Sequence, residues 1–360
     1  MVILSLATQN FGVLVFFSQH GYLCADKHKL ASAGKRMKET FIKLRRGLMK
    51  TPLIDLLVLP AVVVSALVLR FVRRIGVQKF PISKEALLTI GLIPIRDHYY
   101  EPLFQKKHLT KPLSAKRNLP GIDWNIPEQL SILDTFQFEK ELSVFKESYS
   151  DELTFHYENG AFESGDAEYW YQLIRTIKPS RIIEIGSGNS TKMARAAILK
   201  NQFEDPTYIC DHCCIEPYEM PWLEKLGIQI IRKKVEQVDP SFFQQLGAND
   251  ILFIDSSHII RPQGDVLFEY LEILPTLKSG VIVHVHDIFS PHDYPEEWVI
   301  GEIRFWNEQY LLEAFLTSNP SWKILGAVNY LHHNHFKKLK QKCPKLTPDM
   351  EPGSFYMQRI

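Results

Sequence analysis

The sequence predicts an α/β protein in which residues 151–360 form a seven-stranded, mostly parallel sheet with helices on both faces. Short apolar runs alternate with amphipathic segments along this part of the chain. Several of the runs are apolar at consecutive positions, as expected for strands buried on both faces. The first run passes directly into Gly186-Ser-Gly188, which is typical of a ligand-binding turn at the carboxyl end of a strand.

Each predicted element follows from this alternation. The predicted strands are Arg181–Gly186, Tyr208–Ile215, Ile228–Arg232, Ile251–Asp255, Val281–His286, Trp322–Val328 and Ser354–Gln358. The last strand follows a long connection, which leaves room for an antiparallel orientation. The predicted helices are 166–177, 190–201, 219–226, 240–246, 262–277 and 297–317, with a further short helix within 127–147 that has Pro127 in its first turn.

The charge distribution divides the chain into parts with different tasks. The net charge is +1, but the charges are segregated. Residues 1–120 carry 20 Lys and Arg against 6 Asp and Glu, and residues 121–360 carry 22 Lys and Arg against 35 Asp and Glu. We predict a basic and apolar N-terminal extension over residues 1–75 and an irregular, proline-rich linker or lid over 76–150. The sheet domain itself is predicted over 151–360.

The N-terminal extension combines a basic segment with an apolar one. Residues 27–50 hold nine Lys and Arg and one acid, and the run Leu53–Leu69 is followed by Arg70, Arg73 and Arg74. Residues 27–74 are therefore predicted to contact a membrane surface, with the protein cytoplasmic and peripheral on the inner face. The alternative is that this apolar helix packs on the body of the protein or on a second subunit. A homo-oligomer is also possible on the sequence evidence. No nucleic acid partner is expected, because stacking aromatics and DNA-binding motifs are missing.

The five cysteines point to reduced thiols in a cytosolic setting, because their number is odd and their spacing irregular. The group Cys210-Asp-His-Cys213-Cys214 lacks a second ligand pair for zinc. We therefore interpret it as a thiol-rich strand.

Polar side chains follow the ends of four predicted strands, and those ends meet at one edge of a parallel sheet. The residues concerned are Glu184, Gly186, Ser187, Gly188 and Asn189 after the first strand, Glu216 after the second, Asp255 and His258 after the fourth, and His286 and Asp287 after the fifth.

The first two of these groups indicate the ligand. The dinucleotide fingerprint G-x-G-x-x-G has its third position occupied by Thr191, and Glu184 would face a phosphate unfavourably. Glu216 is placed to accept ribose hydroxyls. An adenosine with an amino-acid tail meets these demands better than a dinucleotide.

The stretch EIGSGNST resembles motif I of class I S-adenosylmethionine-dependent methyltransferases, which have a Rossmann-like fold. The resemblance covers about residues 155–360. It implies S-adenosylmethionine as cofactor, with Glu184, Gly186 and Gly188 at its methionine end, Glu216 at its ribose, and Ser187, Asn189 and Asp255 also at the cofactor site.

Asp255-Ser-Ser-His258 and His286-Asp287 resemble the corresponding motifs of metal-dependent, macrocin-type sugar and small-molecule O-methyltransferases. That resemblance implies a divalent metal, Mg or Mn, on Asp255 and Asp287, and His258 as general base beside Asp255. His286 stands where the family has an acid and is taken as the third ligand. Imidazole suits Mn, Fe or Zn better than Mg. The motif therefore does not decide which metal binds, or whether a metal binds at all.

The sequence thus predicts an S-adenosylmethionine-dependent O-methyltransferase that acts on a hydroxyl of a sugar, glycan or other small molecule. A histidine near neutral pKa is suited to removing the hydroxyl proton. Two alternatives remain: a non-catalytic, membrane-associated assembly module with the same fold, and a metal-dependent hydrolase. An NAD-dependent oxidoreductase is disfavoured by the missing third glycine.

Overall fold

A computed structural model describes residues 52–218 and 220–360. The chain divides into two compact units, residues 1–103 and 104–360. The predicted basic segment 27–50 and Cys24 lie outside the described residues.

The described part of the first unit is helical. Helix α1 covers Pro52–Ile75 and helix α2 covers Pro81–Ile90. Glu101 accepts hydrogen bonds from Arg73 Nε at 3.0 Å and Arg96 Nε at 2.8 Å, which ties the segment after α2 back to the end of α1. From Ile54 to Leu69 nearly every side chain of α1 is exposed on all sides of the helix.

The second unit contains the predicted sheet. Its strands are β1 Arg181–Ile185, β2 Asp211–Ile215, β3 Gln229–Ile231, β4 Ile251–Ile254, β5 Ile282–Val285, β6 Trp322–Ala327 and β7 Phe355–Arg359. Their order is β3-β2-β1-β4-β5-β7-β6, with β7 antiparallel to both neighbours and the other pairs parallel. The predicted fold, including the antiparallel last strand, is confirmed.

Helices cover both faces of the sheet. The remaining helices are α3 Ile126–Thr135, α4 Asp166–Ile177, α5 Asn189–Glu204, α6 Asp265–Phe268, α7 Glu308–Leu316 and α8 Val328–Lys342. Helix α6 continues as a π-helical turn, Glu269–Ile273. Successive residues of β1 enter opposite apolar clusters, Ile182 on one face and Ile183 and Ile185 on the other, because strand side chains alternate.

Several predicted helices differ from the structure. Within 219–226 and 240–246 the structure has only short 3₁₀ helices, Leu223–Leu226 and Pro240–Gln245. The single helix expected over 297–317 is a π-helical turn, Glu297–Gly301, an irregular segment, and then α7. The helix starts late because the backbone N–H groups of Asn307 and Glu308 donate to the carbonyl of His258. The histidine run from His332 to His335 lies within α8, with His332 buried.

Candidate active site

The turn between β1 and α5 requires a glycine at its first position. Gly186 has φ +88°, and its N–H donates to the carbonyl of Ile215 at 3.1 Å. A Cβ on Gly186 would lie 2.2 Å from the carbonyl oxygen of Asp255, which is far inside van der Waals contact. A side chain is therefore excluded both by the backbone conformation and by the close approach of β4.

The second glycine of the turn borders open space. A Cβ on Gly188 would meet no heavy atom within 4 Å. The Gly188 N–H donates to Thr191 Oγ1 at 3.1 Å, so the residue at the third position of the glycine pattern closes the turn through its hydroxyl. Asn189 is the first residue of α5.

Glu184 is fully buried beside this turn. Its carboxylate accepts hydrogen bonds from Ser190 Oγ at 3.2 Å and Thr191 Oγ1 at 2.9 Å, and from His212 Nε2. Both oxygens are thus engaged by protein groups, which fixes the start of α5 after the glycine turn. His212 was not anticipated as a partner, although strand alternation places it on the same side of β2 as Cys214, the neighbour of Glu184 in the sheet.

Glu216 lies next to the same turn, just after β2. Its Oε2 accepts from Ser187 Oγ at 3.0 Å and its Oε1 from the backbone N–H of Tyr218 at 2.9 Å. The structure therefore joins Ser187 and Glu216, two residues that the sequence placed separately. Only 4% of Glu216 is exposed, because these two bonds hold the carboxylate against the turn.

The ends of β4 and β5 bring Asp255, His258 and Asp287 together. Nε2 of His258 lies 3.2 Å from Asp255 Oδ1 and 3.4 Å from Asp287 Oδ2. One nitrogen or oxygen atom from each of the three residues falls within 4.8 Å of the others. His258 and Asp287 both have positive φ, 59° and 58°, and such backbone conformations of non-glycine residues concentrate at functional sites.

Glu308 orients the histidine from the other side. Nδ1 of His258 donates to Glu308 Oε2 at 2.8 Å, and Glu308 is fully buried. An ionised carboxylate only accepts hydrogen bonds, so Nδ1 carries a proton in both the neutral and the charged form of His258. Nε2, which faces Asp255 and Asp287, is therefore the atom that gains or loses the second proton. The Trp306 ring lies 4.3 Å from the imidazole, centroid to centroid. Sequence reasoning missed Glu308, since it is one acid among several in a segment predicted as helix.

His286 is also brought to this cluster, and its ring nitrogens lack good partners. Nδ1 lies 3.8 Å from Asp255 Oδ1 and 3.5 Å from Asp287 Oδ1, while Nε2 lies 3.5 Å from Asp166 Oδ2. Neither nitrogen makes a hydrogen bond to a described residue, although the side chain is buried. Orphaned buried polar atoms of this kind commonly have a partner outside the protein chain.

Burial and neighbouring charges shift the pKa values of this cluster. Burial opposes ionisation of Asp255, but the adjacent imidazoles of His258 and His286 lower the pKa of its carboxyl. For His258, burial is outweighed by hydrogen bonds to Asp255 and Glu308, which raise the pKa of the imidazole. Burial raises the pKa of Asp287.

The four described cysteines are buried and free. Burial raises the pKa of Cys210 to about 11 and that of Cys213 to about 12, so these thiols are protonated at neutral pH. Cys214 Sγ lies close to Glu184 and His212. In this group His212 Nε2 is already hydrogen-bonded to the carboxylate of Glu184.

Comparison with known proteins gives one family match. The family model Methyltransf_24, described as a methyltransferase domain, matches residues 183–288, which include the glycine turn and the cluster at β4 and β5. An uncharacterized protein of Archaeoglobus fulgidus is 31% identical over 176 residues, which cover 45% of this chain and 77% of the relative.

Among solved structures, two distant likenesses are the TDP-rhamnose 3'-O-methyltransferase CalS11 of calicheamicin biosynthesis and an O-methyltransferase from Bacillus cereus in complex with S-adenosylhomocysteine (SAH). The first is 12% identical, with a TM-score of 0.34, over 54% of this chain and 78% of that one. The second is 12% identical, with a TM-score of 0.31, over 64% and 90%.

The two glycines should respond differently to an added methyl group. We expect Gly186→Ala to destabilise the protein by about 2 kcal/mol or more, because the new Cβ meets the Asp255 carbonyl in a left-handed conformation, and to lower Tm by about 5–8 °C. Gly188→Ala should lower Tm much less but weaken SAH binding about 10-fold or more, since its methyl group enters the open side of the turn. Thermal unfolding and isothermal titration with SAH measure the two effects. Equal SAH affinity in Gly188→Ala and wild type would place the ligand elsewhere.

Proposed function

We propose that this chain, which belongs to the class I S-adenosylmethionine-dependent methyltransferases, is an O-methyltransferase that acts on a hydroxyl of a sugar, glycan or similar small molecule. One observation carries the proposal: the glycine turn is in direct contact with the acid–histidine cluster, which consists of Asp255, His258 and Asp287. The contact is made by Gly186, which abuts the backbone of Asp255. A methyl donor on the turn and a hydroxyl beside the cluster would therefore be neighbours, as in-line transfer requires.

The cofactor would lie across Gly186, Ser187, Gly188 and Asn189. Glu216, held by Ser187, is the proposed partner of the ribose hydroxyls, and the Asp255 segment borders the methyl group. We propose that Glu184 acts indirectly: its buried carboxylate holds Ser190 and Thr191, so it fixes the start of α5 rather than binding the cofactor itself.

His258 is the proposed general base. Glu308 holds a proton on Nδ1, so in the neutral imidazole Nε2, which faces Asp255 and Asp287, is the nitrogen free to accept a proton. Because the pKa of this imidazole is raised, its neutral form becomes populated as the pH rises. A hydroxyl bound beside Nε2 would pass its proton to this nitrogen while the hydroxyl oxygen bonds to the methyl carbon, the bond from that carbon to the sulfonium sulfur breaks, and S-adenosylhomocysteine leaves. Glu308, fully buried against the ring, would stabilise the imidazolium that results.

The donor set also fits a divalent cation. Asp255 and Asp287 offer oxygens, His258 or the orphaned His286 offers an imidazole nitrogen, and the nitrogen ligand favours Mn over Mg. A cation held by Asp255, Asp287 and His286 would lower the pKa of an acceptor hydroxyl. One atom from each of Asp255, Asp287 and His258 also lies within 4.8 Å of the others, so a cation bound by His258 in place of His286 is the second arrangement.

Replacing the base should abolish transfer without affecting cofactor binding. We expect His258→Ala to lower methyl transfer 10²–10⁴-fold, the usual contribution of general base catalysis, and to leave the SAH dissociation constant within about twofold. Transfer of radiolabelled methyl groups to membrane and soluble extracts, with and without chelator, measures the first quantity, and calorimetry measures the second.

The control for His258→Ala is His98→Ala, which removes an exposed histidine. SAH binding with no transfer by the wild type, and no effect of His258→Ala, would favour the non-catalytic assembly module. Absence of SAH binding would contradict the proposed function itself.

Glu308 should act as a positioning residue. We expect Glu308→Gln, which keeps an oxygen acceptor for Nδ1–H but loses the charge, to lower kcat about 10–100-fold with little change in the KM for cofactor. Glu308→Leu should lose more and shift the ¹⁵N signals of His258 from a single Nδ1-protonated tautomer to a mixture. Glu272→Gln, on an exposed position, is the matched control. Unchanged His258 signals in Glu308→Leu would refute the positioning role.

We also propose that α1 contacts a lipid bilayer. It is the one helix among the described residues that is long and apolar enough to cross a membrane, and its 24 residues would span about 36 Å, against about 30 Å of hydrocarbon. Apolar side chains project on every side of the helix, which suits lipid better than a protein groove that covers one face. Arg70, Arg73 and Arg74 at its end suit anionic headgroups.

Vesicle flotation of the full chain tests this second proposal. We expect wild type to float with vesicles that contain anionic lipid and to resist alkaline carbonate extraction. The double variant Val63→Glu with Leu67→Glu should stay at the bottom of the gradient, because charges at the helix centre are costly in lipid. The control Ile82→Glu changes an exposed position of α2 and should float. A wild type that does not float contradicts membrane contact and leaves the catalytic proposal untouched.

A further inference from the structure

We propose that Asp166 is a positioning residue of the site, which orients His286 so that Nδ1 of this imidazole is the nitrogen ligand of a divalent cation. His258 then remains the base. This inference rests on the proposed function and deepens it, because it selects one of the two arrangements of the cation. Asp166 is the first residue of α4 and is buried, and it belongs to neither the glycine turn nor the acid–histidine cluster.

The two histidines of the site are arranged alike. Each has one ring nitrogen towards the two aspartates of the acid–histidine cluster and the other towards a further buried carboxylate. For His258 the first nitrogen is Nε2, and Nδ1 is bonded to Glu308. For His286 the first nitrogen is Nδ1, 3.8 and 3.5 Å from Oδ1 of the two aspartates, and Nε2 lies 3.5 Å from Asp166 Oδ2. Each imidazole thus has a carboxylate of its own behind it.

The two histidines differ in how well the protein satisfies them. Nδ1 of His258 is bonded to Glu308, and its Nε2 lies 3.2 Å from Asp255 Oδ1. Neither ring nitrogen of His286 has a hydrogen bond to a described residue, although the side chain is buried. A buried polar atom without a partner is costly. A cation at Nδ1 would therefore complete His286, whereas His258 already has its partners.

Backbone N–H groups hold Asp166 beside the site. Its Oδ2 accepts from Gly353 N–H at 3.1 Å and its Oδ1 from Ser354 N–H at 2.7 Å. The carbonyl of Gly353 in turn accepts from the N–H of Ile288 at 2.8 Å. A Cβ on Gly353 would lie only 3.1 Å from Cα of Asp287. The segment that fixes the carboxylate of Asp166 is therefore packed directly on the end of β5, which carries the proposed ligands.

Asp166 also selects the tautomer of His286. An ionised carboxylate only accepts hydrogen bonds, so Asp166 Oδ2 favours a proton on Nε2 and leaves the lone pair of the neutral ring on Nδ1. The distance of 3.5 Å exceeds a normal hydrogen bond by about half an ångström, a gap that a small shift of the ring would close. Histidine ligands of metals usually donate their other N–H to a carboxylate or carbonyl, which fixes the ring and raises its basicity.

Binding of Mn²⁺ to the full chain and ¹⁵N NMR of the metal-free protein test the inference. We expect Asp166→Asn to weaken Mn²⁺ binding about 10–100-fold, the usual effect of losing such a partner, as measured by electron paramagnetic resonance of free Mn²⁺. The new amide N–H would donate to His286 Nε2, so the neutral ring should change from the Nε2-protonated to the Nδ1-protonated tautomer. A purely structural role of Asp166 would not produce that change.

The matched control is Glu168→Gln. Glu168 is a buried acid in the same turn of α4 and also accepts from backbone N–H groups, those of Gly165 and Lys345, but it does not contact His286. This variant tests whether disturbing the start of α4 is enough to weaken the site. It should leave the affinity for Mn²⁺ within about twofold, as expected for a site that shares no partners with the ligands.

Single-histidine variants complete the test. His286→Ala should abolish Mn²⁺ binding, and His258→Ala should keep it close to the wild-type affinity. The reverse order, equal affinity in Asp166→Asn and wild type, an unchanged tautomer of His286, or a wild type that does not bind Mn²⁺ would each overturn the inference. Calorimetry with SAH and methyl transfer on the same samples separate this failure from that of the proposed function. SAH binding and transfer that persist would leave the methyltransferase standing, and loss of SAH binding by the wild type would contradict it.

Discussion

The close approach of two neighbouring parallel strands is the constraint on which the site depends. Because β1 and β4 lie side by side in register, the turn after β1 meets the backbone after β4, and only a glycine at position 186 leaves room for the Asp255 carbonyl. The contact places the glycine turn and the cluster of Asp255, His258 and Asp287 at adjacent points of one sheet edge. Parallel sheets bring their carboxyl ends together by construction, but here the two parts touch directly.

Buried carboxylates stabilise both halves of this edge. Glu184 holds the start of α5 through Ser190 and Thr191, and Glu308 holds His258. A buried carboxylate is costly unless its oxygens are hydrogen-bonded, so these residues define the geometry of their neighbours strongly. The same energetics explain why His286 is notable: it is buried in the middle of the edge, yet both of its ring nitrogens lack a hydrogen bond to a described residue. A bound ion or substrate would complete it.

The second unit and helix α1 present opposite surface chemistry. The sheet is covered by helices on both faces, and its core residues are almost fully buried. The apolar side chains of α1 are exposed around the helix, a quantity of exposed apolar surface that soluble monomers rarely carry.

The sequence alone determined the sheet, since fully apolar strands such as Ile251–Ile254 specify burial on both faces wherever they fold. It also identified the turn at Gly186 and the residues at the strand ends, because strand direction places them at one edge. It did not reveal Glu308 or His212, whose roles depend on contacts across 50 and 28 residues of chain. Nor did it show that both carboxylate oxygens of Glu184 are hydrogen-bonded by neighbouring side chains. Those outcomes depend on which buried oxygens find donors once the helices have packed, and only the tertiary structure decides that.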